Sequence, residues 1–497
     1  MKLESLNLWT SFRELLETEI KESREEGRIF DPEPAVRAAA EYARKKACGE
    51  TGSGSEGFER DEEEARSLLR MMECAPVRED YPYEEPENPA EIGAVCIAGA
   101  GDVRAEIAGS ALSLTEGYIR EHLAGAVAGR VAACTIGMPV EGWMRDRITG
   151  YLKAIGAYPL NWYIPSDADT SARERFEVRD EDSFLPYGRE MVCWINNLTL
   201  DKASPAIRGE AEKYRSRGGE AKYFFPVDDD INYMALALKT VEKAGRKFTP
   251  GDYAAVLATS VPPFHECTAE RVALRNILNG FVPPESASYC NPYREWIGAQ
   301  IRTDFYGYIN PGDPAAAALM ALNDASVTHT KNGVYAAMYI AALISLACLP
   351  ELEMRDRVRI ALKLLPQRSR FVGEIRRLAA LAEAGADYEA LENDVHSRFD
   401  EADNHDWCLA IPNALLVTAA VLTKENFGEA AAAVAMSGFD TDCNAATVGS
   451  VMGMAAGLSG IPGKWLEDFL PVMHTSVYGY ESIPFEEYVE RAMALMR

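Results

Sequence analysis

The sequence predicts an all-α fold, in which a compact multi-helix domain follows a helical N-terminal extension. From about Leu112 the chain is a succession of Ala-rich segments whose apolar residues recur at the spacing of a helix. Alternating strand patterns are scarce, and 221–227 is the best short candidate. We therefore divide the chain into residues 1–111, an extension of unknown role, and residues 112–497, the main domain.

The extension carries acidic, mixed-charge stretches that predict helices, separated by polar connections. The helical stretches are 9–26 and 61–72, and the connections at 49–57 and 80–89 are rich in polar residues with Gly or Pro. The run 98–102 contains two glycines but lacks the G-x-G-x-x-G spacing of a phosphate-binding loop. We expect a plain turn there.

The main domain contains eight apolar segments with helical periodicity. The longest apolar run, 334–349, is short for a bilayer and contains Tyr and Ser, so it predicts a buried core helix and no membrane span. The connection 291–314 is long and rich in Gly, Asn and Tyr, and such loops are often functional. The eight predicted helices are 119–136, 233–244, 251–259, 314–323, 333–349, 410–422, 430–436 and 445–458.

Composition and charge exclude several classes of function. The 51 Lys+Arg and 77 Asp+Glu residues give a net charge of −26, so nucleic acid is not expected as a partner because its phosphates would be repelled. None of the ten cysteines lies in a C-x-x-C pair, which argues against a zinc ribbon or a thioredoxin-type motif. Most of them lie among small apolar residues, and the N-terminus has no apolar signal segment. We therefore expect a cytoplasmic protein.

Two acidic runs at the starts of apolar helices predict a cation site. Asp228, Asp229 and Asp230 directly precede a predicted helix. One carboxylate suffices to cap a helix, whereas three side by side repel one another unless a cation offsets them. Asp440 and Asp442 lie between two helices that read as fully buried, where unpaired carboxylates are costly. Oxygen ligands favour Mg²⁺ or Mn²⁺ over zinc, and two ions about 3.5–4 Å apart would suit so many carboxylates. Capping alone is the alternative for each run.

Three motifs follow one another in the chain: an apolar segment with a G-x-P-x-E loop at 129–143, the acidic triplet within 228–233, and D-T-D-x-N-x-A-T at 440–447. In this order they resemble the first helix and loop, the acidic triplet and the C-terminal signature of the ADP-ribosylglycohydrolases of the dinitrogenase-reductase-activating type. The resemblance covers roughly residues 119–465 and leaves those before 112 unmatched. Further segments that resemble the family are 297–314, 324–335 and 411–415.

The resemblance implies a centre of two Mg²⁺ or Mn²⁺ ions and a hydrolase that removes ADP-ribose from a modified protein side chain or a small ADP-ribosyl adduct. By position, Glu141 would match the loop glutamate of the family, which is assigned in some members as the catalytic acid/base. His329, Asn332 and Gly333 would lie near the bound ADP-ribose. The metal ligands that the resemblance implies are Asp228, Asp229, Asp230, Asp440, Asp442 and Cys443.

Three departures from the family pattern leave alternatives open. Asp228 adds a charge where many members have Thr, Ile231 replaces a common Thr, and Cys443 stands where many members use Thr as a ligand. A thiol is a poor ligand for Mg²⁺. The preferred function is hydrolysis of the N- or O-glycosidic bond at ADP-ribose C1″. The alternatives are a catalytically impaired ADP-ribose-binding regulatory module, or a hydrolase of another ribosyl N-glycoside or a phosphoester.

Overall fold

The regular secondary structure of the computed structural model is almost entirely helical, which confirms the predicted all-α class. It describes residues 11–52, 55, 57–111, 114–166, 170–178 and 194–496. Within these ranges, the antiparallel pair β1 (Val472–His474) and β2 (Ser482–Pro484) forms a small two-stranded sheet. The strand predicted at 221–227 is wrong, because this segment meets only single residues of two loops, through isolated bridges at Tyr223.

The extension forms four α-helices that pack on the main domain. They are α1 (Leu16–Glu25), α2 (Glu33–Ala47), α3 (Phe58–Glu73) and α4 (Pro89–Ala111). The run 98–102 lies inside α4, so the turn predicted there is wrong. Gly99 lets α4 approach the carbonyl oxygen of Lys363, with which a β-carbon would overlap. The predicted boundary at 111–112 and the first residues of the predicted helix 9–26 fall partly outside the described ranges.

The main domain contains α5 to α23, and all eight segments predicted as helices are helical over most of their length. The long loop predicted at 291–314 is wrong in part, because it contains two helices of five residues each. The first eight helices are α5 (Glu116–Gly137), α6 (Arg145–Ala154), α7 (Thr170–Arg175), α8 (Pro205–Ser216), α9 (Asp229–Ala244), α10 (Pro250–Ser260), α11 (Thr268–Leu278) and α12 (Glu285–Ser288). The others are α13 (Gly298–Arg302), α14 (Asp304–Tyr308), α15 (Pro314–Ala325), α16 (Lys331–Ala347), α17 (Met354–Leu362), α18 (Arg370–Glu383), α19 (Tyr388–His396), α20 (Ala410–Thr423), α21 (Phe427–Ala435), α22 (Thr441–Ala456) and α23 (Phe485–Ala494).

Apolar helices occupy the interior of the main domain. The run 334–349, most of which lies in α16, is buried throughout, as predicted for a core helix. One segment in the described chain, Glu116–Val140, is long and apolar enough to cross a membrane by length and composition alone. Its most apolar window is 94% buried inside the protein, which is the burial expected of a core helix.

Two central helices, α5 and α22, cross at close range through glycines spaced four residues apart. A β-carbon at Gly129 would lie 2.5 Å from the carbonyl oxygen of Gly449. One turn earlier, a β-carbon at Gly125 would lie 2.5 Å from the carbonyl oxygen of Gly453. At the end of α5, a β-carbon at Gly137 would lie 2.5 Å from the Cα atom of Asp442. The glycines therefore hold the end of α5 against the start of α22, where the second acidic run lies.

Candidate functional site

The first acidic run forms the start of α9, and helix capping uses only part of its carboxylate oxygens. Asp228 has extended backbone (φ −153°), and its Oδ1 accepts a hydrogen bond from the Asp230 amide at 2.9 Å. Asp229 Oδ1 accepts from the same amide at 3.1 Å. In the described chain, Asp228 Oδ2 and Asp230 Oδ2 are buried without a hydrogen-bond partner. Capping therefore leaves oxygens that need another positive group.

The second acidic run lies at the start of α22 and is almost fully buried. Asp440 and Asp442 are 4% and 1% exposed. The Asp440 amide donates to Asn413 Oδ1 at 3.2 Å, and the Cys408 thiol donates to Asp440 Oδ2 at 3.4 Å. Among the described residues, Asp440 Oδ1 and Asp442 Oδ1 have no partner. The backbone of the turn is thus held by an amide side chain, while one oxygen of each carboxylate is left free.

The two runs meet in what we call the acidic cluster, Asp228, Asp229, Asp230, Asp440 and Asp442. Four of its aspartates, together with two cysteines, supply potential ligand atoms in two overlapping groups, and the atoms of each group lie within 4.8 Å of one another. Asp229 belongs to neither group. The groups are Cys134, Asp228, Asp230 and Asp442, and Asp440, Asp442 and Cys443. Because Asp442 belongs to both, the arrangement fits two cations that share a ligand. Buried anionic oxygens without donors are the groups that a hard divalent cation would satisfy.

The electrostatics of the acidic cluster also favour a bound cation. Burial, together with the charge of neighbouring carboxylates, raises the pKa of Asp229 to about 6. Burial and neighbouring carboxylates also raise the pKa of Asp230 to about 8, although Arg130 lowers it. Burial and the surrounding carboxylates hold the pKa values of Asp228 and Asp442 well above the usual range. A bound divalent cation favours the ionised form of each carboxyl and so opposes these shifts.

Arg130, on α5, is a fully buried cation that orients one member of the cluster. Its Nη2 donates to Asp230 Oδ1 at 2.5 Å, and its Nη1 donates to Asp304 Oδ2 at 2.6 Å. These bonds fix one oxygen of Asp230 and leave the other free. Sequence reasoning did not assign Arg130 a role. An arginine inside an apolar, Ala-rich helix was the available signal, since a buried charge requires a partner.

Glu141 and part of the acidic cluster line one cavity of about 440 Å³, a volume typical of small-molecule sites. Glu141 follows the 3₁₀ turn Met138–Val140 at the end of α5. Burial raises its pKa well above the usual range, and so do the charges of Asp440 and Asp229, which also line the cavity. A carboxyl whose pKa is raised beside a candidate metal centre is suited to proton transfer.

Two residues that the sequence did not single out also line the cavity. Glu270 of α11 is buried and pairs with Arg302 at 2.5 Å, and burial raises its pKa to about 7 although Arg302 lowers it. Trp296 is buried, and its indole Nε1 has no hydrogen-bond partner in the described chain. Neither residue belongs to a local pattern that indicates a site, because tertiary packing alone brings them to the cavity.

The predicted ADP-ribose-binding residues lie at the start of α16 and are absent from the described lining of this cavity. Asn332 Nδ2 donates to Glu295 Oε2 at 2.6 Å, so this amide is already engaged within the protein. A β-carbon at Gly333 would lie 2.9 Å from the His329 ring. His329 Nδ1 is 3.8 Å from an oxygen of Glu270, which does line the cavity. Contact of His329, Asn332 and Gly333 with ADP-ribose stays a prediction.

The N-terminal extension supplies a further part of the same cavity, which we call the N-terminal wall. It is docked by buried ion pairs: Arg294 pairs with Glu19 at 2.8 Å and with Glu26 at 2.9 Å, and Glu22 lies 3.1 Å from His405. The extension therefore takes part in the site, although the sequence assigned it no role. The residues of the N-terminal wall are Arg13, Glu14, Glu17, Thr18, Lys21, Ala39, Tyr42, Ala43 and Lys46.

Comparison with known proteins adds a family match. A family model described as ADP-ribosylglycohydrolase matches residues 115–484. A solved structure described as an ADP-ribosylglycohydrolase-related protein complex is 19% identical with a TM-score of 0.42, and the alignment covers 77% of this chain and 99% of that one. No curated protein matches the chain. The matched residues include the whole acidic cluster and Glu141, and they begin after the N-terminal wall.

Proposed function

The chain belongs to the ADP-ribosylglycohydrolase family, and on that premise we propose that it is a metal-dependent glycosidase. Family membership supports hydrolysis of ADP-ribosyl adducts in general. The bond cleaved would be the N- or O-glycosidic bond between ADP-ribose C1″ and its acceptor, in a modified protein or a small adduct. Four buried, unpartnered carboxylate oxygens of the acidic cluster, found within the described residues, carry this proposal.

The acidic cluster would hold two Mg²⁺ or Mn²⁺ ions. Asp228 and Asp230 supply one group of ligands, Asp440 supplies the other, and Asp442 contributes to both. Cations bound there would supply positive charge that favours orientation of the ribose hydroxyls and activation of water. Arg130 holds Asp230 at its other oxygen, so this ligand is kept in place before a cation arrives.

Glu141 would transfer the proton. A carboxylate that ligates a cation is a weak base, and Glu141 lies outside both ligand groups while it lines the cavity. Burial and the charges of Asp440 and Asp229 raise its pKa, which favours the protonated form. It can therefore donate a proton to the leaving atom as positive charge develops at C1″, and then accept one from the attacking water.

A cytoplasmic location is part of the proposal. The nine cysteines within the described ranges are all free thiols, most of them buried, and Cys193 lies outside those ranges. Free thiols that persist in a chain with so many cysteines are typical of a reducing compartment.

The test is release of ADP-ribose from ADP-ribosyl-arginine and ADP-ribosyl-serine peptides in the presence of Mg²⁺ or Mn²⁺. Glu141→Gln should lower kcat by about 10²–10⁴-fold while ADP-ribose still binds, because only the proton transfer is lost. Glu212→Gln, at an exposed position of α8, is the matched control and should keep wild-type turnover.

Other outcomes distinguish the alternatives. Wild-type protein that binds ADP-ribose but releases none from any substrate would support the regulatory module. Cleavage of plain nucleosides or phosphoesters in preference to both peptides would support the other hydrolase. Absence of both binding and turnover would refute the proposal.

A further inference from the structure

We propose that the N-terminal wall binds the phosphate groups of the ADP-ribosyl substrate through Arg13, together with Trp296 of the main domain. The inference rests on the proposed function and extends it, because Arg13 lies outside residues 115–484, which the family model matches. It would make the extension part of the substrate-binding site and a determinant of specificity.

Arg13 lines the cavity with a guanidinium that the protein holds in place but does not fully satisfy. It is 5% exposed. Its Nε donates to Glu62 Oε1 at 2.5 Å, its Nη2 donates to the Thr51 carbonyl oxygen at 3.0 Å, and its guanidinium carbon lies 5.0 Å from the centre of the Tyr42 ring. Nη1 is buried with no partner in the described chain. A buried charged donor without an acceptor is costly unless a ligand supplies one.

Trp296 provides a second free donor in the same cavity. The residue is 3% exposed, and its indole packs edge-on against Tyr293 with the ring centres 4.7 Å apart. Its Nε1 has no acceptor among the described residues, although a buried tryptophan normally finds one. Arg13 and Trp296, from separate segments of the chain, thus line one cavity, and each carries an unpartnered N–H donor. A ligand rich in acceptor oxygens would satisfy both.

Charge identifies those oxygens as phosphate. The acidic cluster repels phosphate in the absence of cations, so phosphates bound in this cavity require a separate positive group. Arg13 is the one arginine among the described residues that line it, and a guanidinium matches the geometry of phosphate oxygens. ADP-ribose, which the proposed function places here, carries two phosphates.

An acidic residue of the N-terminal wall defines the competing interpretation. Glu14 Oε1 accepts hydrogen bonds from the Tyr42 hydroxyl at 2.7 Å and from Lys46 Nζ at 3.1 Å. Its Oε2 is buried without a partner in the described chain, and this oxygen could receive a cationic group. Outside the acidic cluster, the two donors, each on a side chain more than nine-tenths buried, outnumber this single unpartnered acceptor among the described lining residues and favour phosphate.

The first experiment measures ADP-ribose affinity by titration calorimetry. Arg13→Gln should weaken binding by about 10- to 100-fold, the usual effect of losing a hydrogen bond to a charged group. Arg37→Gln, at an exposed position of α2, should change the affinity by less than about twofold. Wild-type protein that binds no ADP-ribose would refute the proposed function and this inference with it. Wild-type binding that Arg13→Gln leaves unchanged would refute the inference alone.

Arg13→Gln also breaks the hydrogen bonds to Glu62 and Thr51, so it changes the fold as well as the binding site. A second pair of variants separates the effect on binding from the effect on folding. Trp296→Phe keeps an aromatic ring and deletes an N–H that has no acceptor among the described residues, so ADP-ribose affinity should fall about 3- to 10-fold. The smaller ring lowers the melting temperature by only a few degrees, and the variant should still unfold cooperatively. Glu14→Gln removes a negative charge and should not weaken binding. Weaker binding by Glu14→Gln with no change in Trp296→Phe would mean that this part of the cavity receives a cationic group, which would overturn the inference.

Discussion

Replacing Asp442 with asparagine should abolish the stabilisation of this protein by divalent cations and leave its metal-free fold intact. Asp442 is 1% exposed, has an unpartnered oxygen within the described chain, and belongs to both ligand groups. Asparagine keeps the shape and an oxygen but removes the charge. Because Glu141 and Asp440 repel the buried Asp442 carboxylate, the metal-free variant should be as stable as wild type or more stable.

The expected shift in melting temperature follows from linkage. A cation at one hundred times its Kd stabilises the native state by about 2.7 kcal/mol. An unfolding entropy of about 2.1 cal/mol/K per residue, over 497 residues, gives about 1 kcal/mol/K, so wild type should gain about 3 °C. If loss of the ligand weakens affinity about 100-fold, the variant retains only about 0.4 kcal/mol, a shift of less than about 1 °C.

Differential scanning calorimetry in EDTA, in Mg²⁺ and in Mn²⁺ measures these shifts directly. Asp146→Asn, at an exposed position in the first turn of α6, is the control and should keep the full wild-type shift. If the melting temperature of Asp442→Asn rises with cations as much as that of wild type, Asp442 is not a metal ligand. Melting far below wild type in EDTA would instead show that the carboxylate supports the fold itself.

Cys443→Thr should raise affinity for Mg²⁺ relative to Cd²⁺, because an oxygen replaces a soft sulfur beside the acidic cluster; an unchanged ratio in titration calorimetry would place the thiol outside the coordination sphere. Gly129→Ala should lower the free energy of unfolding in urea by about 1–3 kcal/mol, since its β-carbon would lie 2.5 Å from a carbonyl oxygen of α22. Gly101→Ala is the control, because a β-carbon at this position of α4 would have nothing within 4 Å. It should raise the free energy of unfolding by up to about 1 kcal/mol. A Gly129→Ala protein that is more stable than Gly101→Ala would contradict the close packing of α5 on α22. Burial lowers the pKa of His405, but hydrogen bonds to Asp406 and Glu22 outweigh it and raise the pKa to about 9. This stabilisation is complete below pH 6.5 and is lost as pH rises through 9. Between pH 6.5 and 9.5, the free energy of unfolding of wild type should therefore fall by about 3 kcal/mol more than that of His405→Gln. Equal falls in the two proteins would show that His405 is not the responsible group.

The acidic half of the site could be predicted from sequence because its residues stand in short local patterns. Asp228 to Asp230 and Asp440 with Asp442 lie next to strongly periodic apolar segments, and the observed helices begin at Asp229 and Thr441. A carboxylate at the start of a buried helix is conspicuous because burial makes it costly. Local sequence therefore contained both the position of these side chains and the reason to suspect a cation.

The remainder of the cavity could not be predicted, because it is assembled from distant segments by packing. Arg13 lies in the mixed-charge stretch 9–26, which predicts a helix but contains no pattern that indicates a site, and Trp296 lies in a segment interpreted as a loop. Helices of five residues such as α13 are too short for apolar periodicity to show. The run 98–102 forms a helix although it contains two glycines, because tertiary packing overrides local propensity.

The division of the chain near residue 111 follows a change in sequence pattern rather than a break in the packing. One continuous hydrophobic core contains Leu15 and Leu69 of the extension as well as residues of α5 and α22. Arg294 of the main domain has its acidic partners, Glu19 and Glu26, on α1. A buried guanidinium without its carboxylates is strongly destabilising, so the main domain has a surface that requires this extension. The segment that completes the cavity is therefore also one on which the stability of the main domain depends, and substitutions at its buried glutamates would affect both.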